Sequence, residues 1–82
     1  DYTKAIQLDP DYANAYINRG VSYSKLGQST LAINDYTKAI QIGGNFDALA
    51  YNNRGISYRN LGQYTLADAD KTKACSLDSK YC

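Results

Sequence analysis

The chain has 82 residues and a formal net charge of +1, and it contains no His, Glu, Met or Trp. Its length allows a single domain. Because His is the commonest general base and the commonest metal ligand, its absence argues against an enzyme, a cofactor and a metal site. Charges of both signs are interspersed and no apolar run approaches a membrane span, so we expect neither nucleic acid nor a membrane as a partner.

A repeat of 34 to 35 residues organises the whole chain. Asp1–Gln7 recurs unchanged as Asp35–Gln41, and a more divergent copy begins at Asp70. Between these copies, residues 13–34 match residues 48–69 at most positions. The one-residue difference in period falls in a connection between units, where stacked repeats tolerate insertions.

In chain order, each unit is predicted to form two helices. Asp9-Pro10-Asp11 should end one helix and cap the next through Asp11, and Gly43-Gly44 should end another, with Asn45 or Asp47 as the following cap. Gly20 and Gly55 should let each first helix approach its partner, against Ala32 and Ala67. Small, aromatic and aliphatic residues recur at the three- and four-residue spacing of a helix face. They are Ala13, Tyr16, Gly20, Tyr23 and Leu26 and, after a break at Gly27, Ala32, Tyr36, Ala39 and Ile40.

These small and aromatic residues resemble the pattern of the tetratricopeptide repeat family over the whole chain. The resemblance implies an all-α fold of antiparallel helix pairs stacked in a right-handed superhelix, with the first helix of each repeat lining a concave groove. Five helices are expected, near 1–8, 13–26, 29–42, 48–61 and 64–77. They would form one domain, with 1–12 as the second helix of a truncated repeat, 13–47 as a full repeat and 48–82 as a C-terminal capping repeat. The residues that carry the resemblance are Leu8-Asp9-Pro10, Tyr16, Gly20, Tyr23, Leu26-Gly27, Ala32, Tyr36 and Ala39, with the counterparts Tyr51, Gly55, Tyr58, Leu61-Gly62, Ala67 and Ala74.

An arginine stands in each Tyr-x-Asn-Arg-Gly segment, where most members of the family have an apolar residue. A charge among packing residues needs a partner, so we expect ion pairs that tie helices together. The sequence does not decide whether each arginine reaches the aspartate of its own repeat or of the preceding one. The alternative is a set of solvated surface charges whose pairing contributes ~0–1 kcal/mol. The residues concerned are Arg19 and Arg54, and Asp1, Asp35 and Asp70.

The two ends of the repeat array differ in polarity. In the last helix, Asp68, Lys71 and Cys75 replace Ile33, Tyr36 and Ile40. This polar face is typical of a capping repeat and predicts that the array ends near Cys82. The opposite end, with Tyr2 and Ile6, should be an open apolar face that makes the chain self-associate by end-to-end stacking or helix exchange.

Cys75 and Cys82 are the only cysteines in the chain. In one continuous helix they would lie ~10.5 Å apart along the axis, beyond disulfide reach. If the helix ends near Leu77 and the chain turns back, they can pair, which would imply an oxidising compartment and an exported or periplasmic protein. Otherwise Cys75 is a buried small apolar residue, Cys82 is a free thiol, and a cytoplasmic location is favoured. Two thiolates without His fall short of a zinc site.

The first helices should present a mixed polar and apolar surface. Carboxamides can bond an extended peptide backbone in both directions, the apolar residues could seat its side chains, and Lys25 and Arg59 could hold a carboxylate. Some members of the family clamp acidic chaperone tails with Lys and Asn here, but Ile17 and Val21 mean that this clamp is not carried over intact. Alternatively, some of these side chains pack between neighbouring helices. The candidates are Asn14, Ile17, Asn18, Val21, Ser24, Lys25, Leu49, Asn52, Asn53, Ile56, Arg59 and Asn60.

Two functions are compatible with these features. The resemblance favours a non-catalytic scaffold that binds a peptide or protein segment in the groove. The alternative is a structural module that stacks with copies of itself through the open N-terminal face, as a homo-oligomer or a spacer. No pairing of a nucleophile with a base can be assembled from these residue types, so catalysis is not expected.

Overall fold

The computed structural model describes residues 12–44 and 46–82, and within them the chain forms four α-helices and no strand. The predicted all-α class is therefore confirmed, and each observed helix begins and ends within one residue of its predicted bounds. The predicted helix near 1–8 lies outside the described residues. The helices are α1 (Ala13–Lys25), α2 (Ser29–Ile42), α3 (Asp47–Asn60) and α4 (Tyr64–Leu77), and a short 3₁₀ helix follows at Ser79–Tyr81.

Three residues reverse the chain within each helix pair, because a glycine supplies a backbone angle that other residues rarely adopt. Gly27 and Gly62 have φ of 75° and 77°. After Gly27, the Gln28 N–H donates to the Tyr23 carbonyl at 2.9 Å, which satisfies a carbonyl at the end of α1. Helices in contact across so short a connection run antiparallel, so α1 pairs with α2 and α3 pairs with α4.

The predicted cap at Asp47 is wrong, because Asp47 is already the first residue of α3. Phe46 occupies the cap position and makes no side-chain capping hydrogen bond. Asp47 still places a negative charge in the first turn, where it interacts favourably with the helix dipole. The other two expected caps, Asp11 and Asn45, lie outside the described residues.

The main core lies where α3 packs on the first helix pair. Its small residues let the helix backbones approach, and Ala50 of α3 is fully buried there. Among residues 12–44 and 46–82, Tyr36 is the largest fully buried side chain. The cluster consists of Tyr16, Ile17, Ala32, Tyr36, Ala39 and Ala50.

Gly20 and Gly55 bring helices together in different ways. A Cβ on Gly55 would lie 3.1 Å from the Ala67 carbonyl oxygen, so Gly55 approaches its expected partner. A Cβ on Gly20 would instead meet the ring of Tyr36, at 2.6 Å from Cε1, and its three nearest neighbouring atoms all belong to that ring rather than to Ala32. The expected contact of Gly20 with Ala32 is therefore replaced by an aromatic one.

Cys75 and Cys82 are joined by a disulfide in the structure, with their Cα atoms 4.7 Å apart. Helix α4 ends at Leu77, and Asp78 starts the turn that brings the chain back. The Lys80 N–H donates to Asp78 Oδ1 at 3.1 Å and supports this turn. Of the two alternatives that the sequence leaves open, the structure has the paired one, and it clips the 3₁₀ helix to the end of α4.

Candidate functional site

The residues predicted to line the groove differ in how far they reach the surface. Ile17 alone is buried. The exposed ones are Lys25, Ile56, Arg59 and Asn60, and the half-buried ones are Asn14, Asn18, Val21, Ser24, Leu49, Asn52 and Asn53.

Ile17 does not line a surface, so its predicted contact with a peptide is wrong. It is 1% exposed and belongs to the core cluster with Tyr16 and Tyr36. The reason is its position on α1: Ser24, two turns later on the same face, has its Oγ 3.2 Å from Oγ of Ser57 on α3. This face of α1 is therefore covered by α3.

The remaining candidates form one stripe along each first helix. On α1, Asn14, Asn18, Val21 and Lys25 follow one another at spacings of three or four residues, which places them on one face. On α3 the corresponding stripe is formed by Leu49, Asn52, Asn53, Ile56, Arg59 and Asn60. Val21 and Leu49 pack on the core and keep part of their surface open.

The two stripes end at the same end of the helix pair α1 and α3. The contact between Ser24 and Ser57 joins the C-terminal parts of α1 and α3. Lys25 and Arg59, one residue after Ser24 and two after Ser57, are the basic residues of the last turns. Two cations therefore stand at the same end of a surface whose middle is carboxamide and aliphatic.

Arg59 is held only loosely. Its Nη2 lies 3.8 Å from Oδ1 of Asp68, beyond hydrogen-bond distance, and both side chains are more than half exposed. Such a pair is worth ~0–1 kcal/mol. Arg59 can therefore exchange Asp68 for another carboxylate at little cost.

Arg19 and Arg54, in contrast, are committed to the structure. Arg19 donates from Nε and Nη2 to the two carboxylate oxygens of Asp35 at 2.8 and 2.7 Å. Arg54 makes the same two bonds to Asp70 at 2.7 and 2.8 Å. Each arginine thus reaches the aspartate of its own repeat, and Asp1 lies outside the described residues. Arg54 also donates to the Thr37 hydroxyl at 3.3 Å, so it joins α3 to both α2 and α4.

Tyrosine rings on the same helix flank each of these guanidinium groups. Arg19 lies 5.8 Å from the ring centres of Tyr16 and Tyr23, three residues before it and four after it. Arg54 lies 5.3 and 5.6 Å from those of Tyr51 and Tyr58. Hydrogen bonding to the aspartate raises the pKa of each arginine above its usual value. These cations are therefore fixed as charged packing groups and are not presented to a ligand.

An open cavity of about 330 Å³ lies between α3 and α4. We refer to it as the terminal groove; it is lined by Asn52, Gly55, Ile56, Arg59, Ala67 and Lys71. Sequence reasoning singled out Asn52, Ile56 and Arg59, but as part of the α3 stripe. It missed the groove itself, although one signal was available: Lys71 stands where the first pair has Tyr36, the ring that covers Gly20.

Metal ligation and membrane spanning find no support in the part of the chain that the structure describes. Over residues 12–44 and 46–82, no three cysteine or aspartate side chains cluster as a metal site would require. Among the same residues, no helix has the length and apolar character needed to cross a bilayer.

Comparison with known proteins gives consistent matches to one family. A model described as tetratricopeptide repeat matches residues 13–46, and a second model of that description matches residues 48–81. No curated protein sequence matches the chain.

Many solved structures share the fold, and two of them illustrate the match. The N-terminal domain of stress-induced protein-1 (STI-1) from C. elegans has a TM-score of 0.87 and 23% identity, over 94% of this chain and 65% of that one. The crystal structure of MamA protein has a TM-score of 0.85 and 33% identity, over 96% of this chain and 43% of that one. The chain thus spans less than two thirds of either structure.

Proposed function

Because the chain belongs to the tetratricopeptide repeat family, we propose that it is a non-catalytic scaffold that binds an extended peptide or protein segment across α1 and α3. The family supplies the general role of a protein–protein interaction module. The observation that carries the specific proposal is the pair of mixed stripes on α1 and α3, each of which has a cation in its last turn, Lys25 and Arg59.

The proposed architecture follows the family. The two helix pairs stack with a right-handed twist, and α1 and α3 form the concave side. Residues 13–47 and 48–82 act as one domain, and the segment 1–11, predicted to complete it, lies outside the described residues.

Each type of side chain in the stripes has a distinct part in recognition. The carboxamides of Asn18 and Asn53 are half-buried and can both donate to and accept from a peptide backbone. Val21 and Ile56 offer apolar contact to its side chains. Lys25 and Arg59 can bind a carboxylate at one end, which sets the direction of the bound segment.

A peptide library displayed on phage tests the proposal with no partner chosen in advance. Peptides selected on the 82-residue chain would be titrated by fluorescence anisotropy against a variant carrying Asn18→Ala, Asn53→Ala and Arg59→Ala. The matched control carries Asn34→Ala, Lys38→Ala and Gln41→Ala, three exposed positions on α2. We expect the first variant to lose binding and the control to keep it. Equal affinities for the two variants would show that α1 and α3 are not the binding surface.

The disulfide bears on where the scaffold works. Cys82 is exposed, so its bond to Cys75 is accessible to cellular reductants. We propose an oxidising compartment for this reason. Alkylation of thiols at the moment of lysis, followed by intact-mass analysis, would detect reduced cysteines if the compartment is reducing.

Self-association through the N-terminal face remains a prediction, because that face falls outside the described residues. Sedimentation equilibrium over a range of concentrations tests it. A constant monomer mass would contradict it.

A further inference from the structure

The first helix pair shows what kind of element fits the terminal groove. The six lining residues have direct counterparts in the first pair by the internal repeat, and those counterparts lie where α3 docks. Ser24 contacts Ser57 of α3, while Ile17, Ala32 and Tyr36 enclose Ala50 in the core. The counterparts are Ile17, Gly20, Val21, Ser24, Ala32 and Tyr36. The terminal groove therefore has the plan of a docking site for a helix.

The chemistry of the terminal groove differs from that of its counterpart. Its small residues are retained, since Gly55 and Ala67 match Gly20 and Ala32. Three other positions change from apolar or small to polar or charged: Asn52 replaces Ile17, Arg59 replaces Ser24 and Lys71 replaces Tyr36. A helix like α3, which carries a cation of its own, would meet repulsion there.

The contacts of α3 indicate where an incoming helix would meet the two new cations. Arg54 of α3 reaches Thr37, and the counterpart of Thr37 is Thr72, next to Lys71. Ser57 of α3 contacts Ser24, whose counterpart is Arg59. A helix docked in the same way would thus face Lys71 and Arg59 from positions four and seven residues after its buried small residue.

We propose that the terminal groove binds an acidic amphipathic helix of a partner protein. This helix has a small residue at the crossing point and carboxylates four and seven positions later. The loose pairing of Arg59 with Asp68 leaves this cation ready to change partners. The inference goes beyond the proposed peptide surface, which uses α1 and α3. The two sites share Asn52, Ile56 and Arg59, whereas Lys71 belongs to the terminal groove alone.

The probe is a synthetic helix copied from α3. It has the sequence of residues 47–60 with Arg54→Glu and Ser57→Glu, a lactam bridge on its outer side to hold the helix, and a fluorescent label. A matched peptide carries glutamine at the same two positions. Binding to the full 82-residue chain is measured by anisotropy at low salt.

The affinities of the two peptides should differ because their charges differ, and the effect of each protein variant should depend on the position of the replaced lysine. We expect the glutamate peptide to bind about tenfold more tightly than the glutamine peptide, since two charge pairs are at stake. Lys71→Glu should weaken it by about tenfold and Lys71→Gln by less. Lys38→Glu, at an exposed lysine on α2 outside both proposed sites, is the matched control and should leave the affinity unchanged. Because Lys71 and Lys38 are both exposed, these variants should fold, which circular dichroism verifies.

Several outcomes would overturn the proposal. Equal affinity for both peptides, or tighter binding of the neutral one, would exclude an acidic helix as the occupant. Equal losses of affinity in Lys71→Glu and Lys38→Glu would indicate general charge attraction without a defined site. Self-association of the chain that Lys71→Glu abolishes would identify a second copy as the occupant. Failure of the peptide surface on α1 and α3 is distinguishable, because it would leave the Lys71 dependence intact.

Discussion

The ring of Tyr36 lies against Gly20 so closely that a Cβ on residue 20 would come within 2.6 Å of its Cε1 atom. Tyr36 is 1% exposed and part of the core, so the ring has no space into which to retreat. The glycine is therefore needed to admit the aromatic ring, and the first pair is built around this contact.

Gly20→Ala and Gly55→Ala should have different effects although the two glycines occupy equivalent positions. Alanine in mid-helix gains up to ~1 kcal/mol in helix propensity, but overpacking a rigid core costs about 1–3 kcal/mol. At Gly55 the nearest atoms would be 3.1 and 3.2 Å away, so a small shift suffices. We expect Gly20→Ala to lower the free energy of unfolding by about 1–2 kcal/mol and Gly55→Ala to change it little, as measured by urea unfolding. Equal effects would contradict this account.

Arg54→Ala should destabilise the chain more than Lys80→Ala. Asp70 is 7% exposed, and losing both bonds from Arg54 would leave its carboxylate nearly buried without that partner. A loss of about 2–3 kcal/mol is expected, compared with less than about 0.5 kcal/mol for Lys80, which pairs with Asp78 at the surface. Arg54→Lys should recover only part of the lost free energy of unfolding, because lysine cannot bind both carboxylate oxygens in the same plane.

Chemical unfolding of the three variants checks this prediction, with circular dichroism confirming the native fold. If Arg54→Ala and Lys80→Ala lower the free energy of unfolding equally, the pair of Arg54 with Asp70 stabilises the fold no more than a surface ion pair does.

The stability of the chain should fall in alkaline solution because of Tyr36. Burial raises the pKa of Tyr36 above its usual value of 10.0. The unfolded chain therefore releases this proton at a lower pH than the folded one. The stabilisation is complete below pH 10 and is lost as the pH rises toward the folded-state pKa, at no more than about 1.4 kcal/mol per pH unit. Urea unfolding of Tyr36→Phe between pH 9 and 11 should show a flatter decline; an unchanged slope would assign the decline to other groups.

Helix positions could be predicted from the sequence because the pattern of small and aromatic residues has the period of a helix and recurs in both units. The aspartate that each arginine binds could not be predicted, because the repeat places one aspartate before each arginine and another after it. Only the crossing of the antiparallel pair brings Arg19 to Asp35 and Arg54 to Asp70. The burial of Ile17 could not be predicted either, because the spacing of residues along α1 does not show how much of that helix α3 covers.

Two features of the second unit, the disulfide and the terminal groove, could not be predicted from the sequence for other reasons. Pairing of Cys75 with Cys82 depends on where α4 ends, and a shift of one or two residues at a helix end decides whether the sulfur atoms can meet. In the sequence, the terminal groove shows only as replacements such as Lys71 for Tyr36, which predict a polar capping face. The same positions correspond to a docking site only through the packing of α3 on the first pair, which the sequence pattern does not contain.

Opening the disulfide should loosen the C-terminal turn more than the rest of the chain. It closes a loop of seven residues, for which the chain-entropy estimate is about 2.4 kcal/mol. The segment that it holds, Ser79–Tyr81, contacts the end of α4. In a variant with Cys75→Ser and Cys82→Ser, we expect faster amide exchange over residues 78–82 and little change in α1 and α2, measured by hydrogen–deuterium exchange. Uniform acceleration along the chain would contradict a local role.

Lys71→Tyr should restore in the second pair what Tyr36 does in the first. Gly55 and Lys71 both line the terminal groove, whose volume is about 330 Å³. A ring there would bury part of its surface, because no further helix covers it within the described residues, so the gain should be about 0.5–1 kcal/mol. Lys73→Tyr, at an exposed position on the same helix, is the control and should gain nothing. Urea unfolding measures both. If the Lys71→Tyr chain is more stable but no longer binds the acidic probe helix, the lysine in the terminal groove favours binding at the expense of stability. Equal increases in the free energy of unfolding for Lys71→Tyr and Lys73→Tyr would contradict the correspondence between Tyr36 and Lys71.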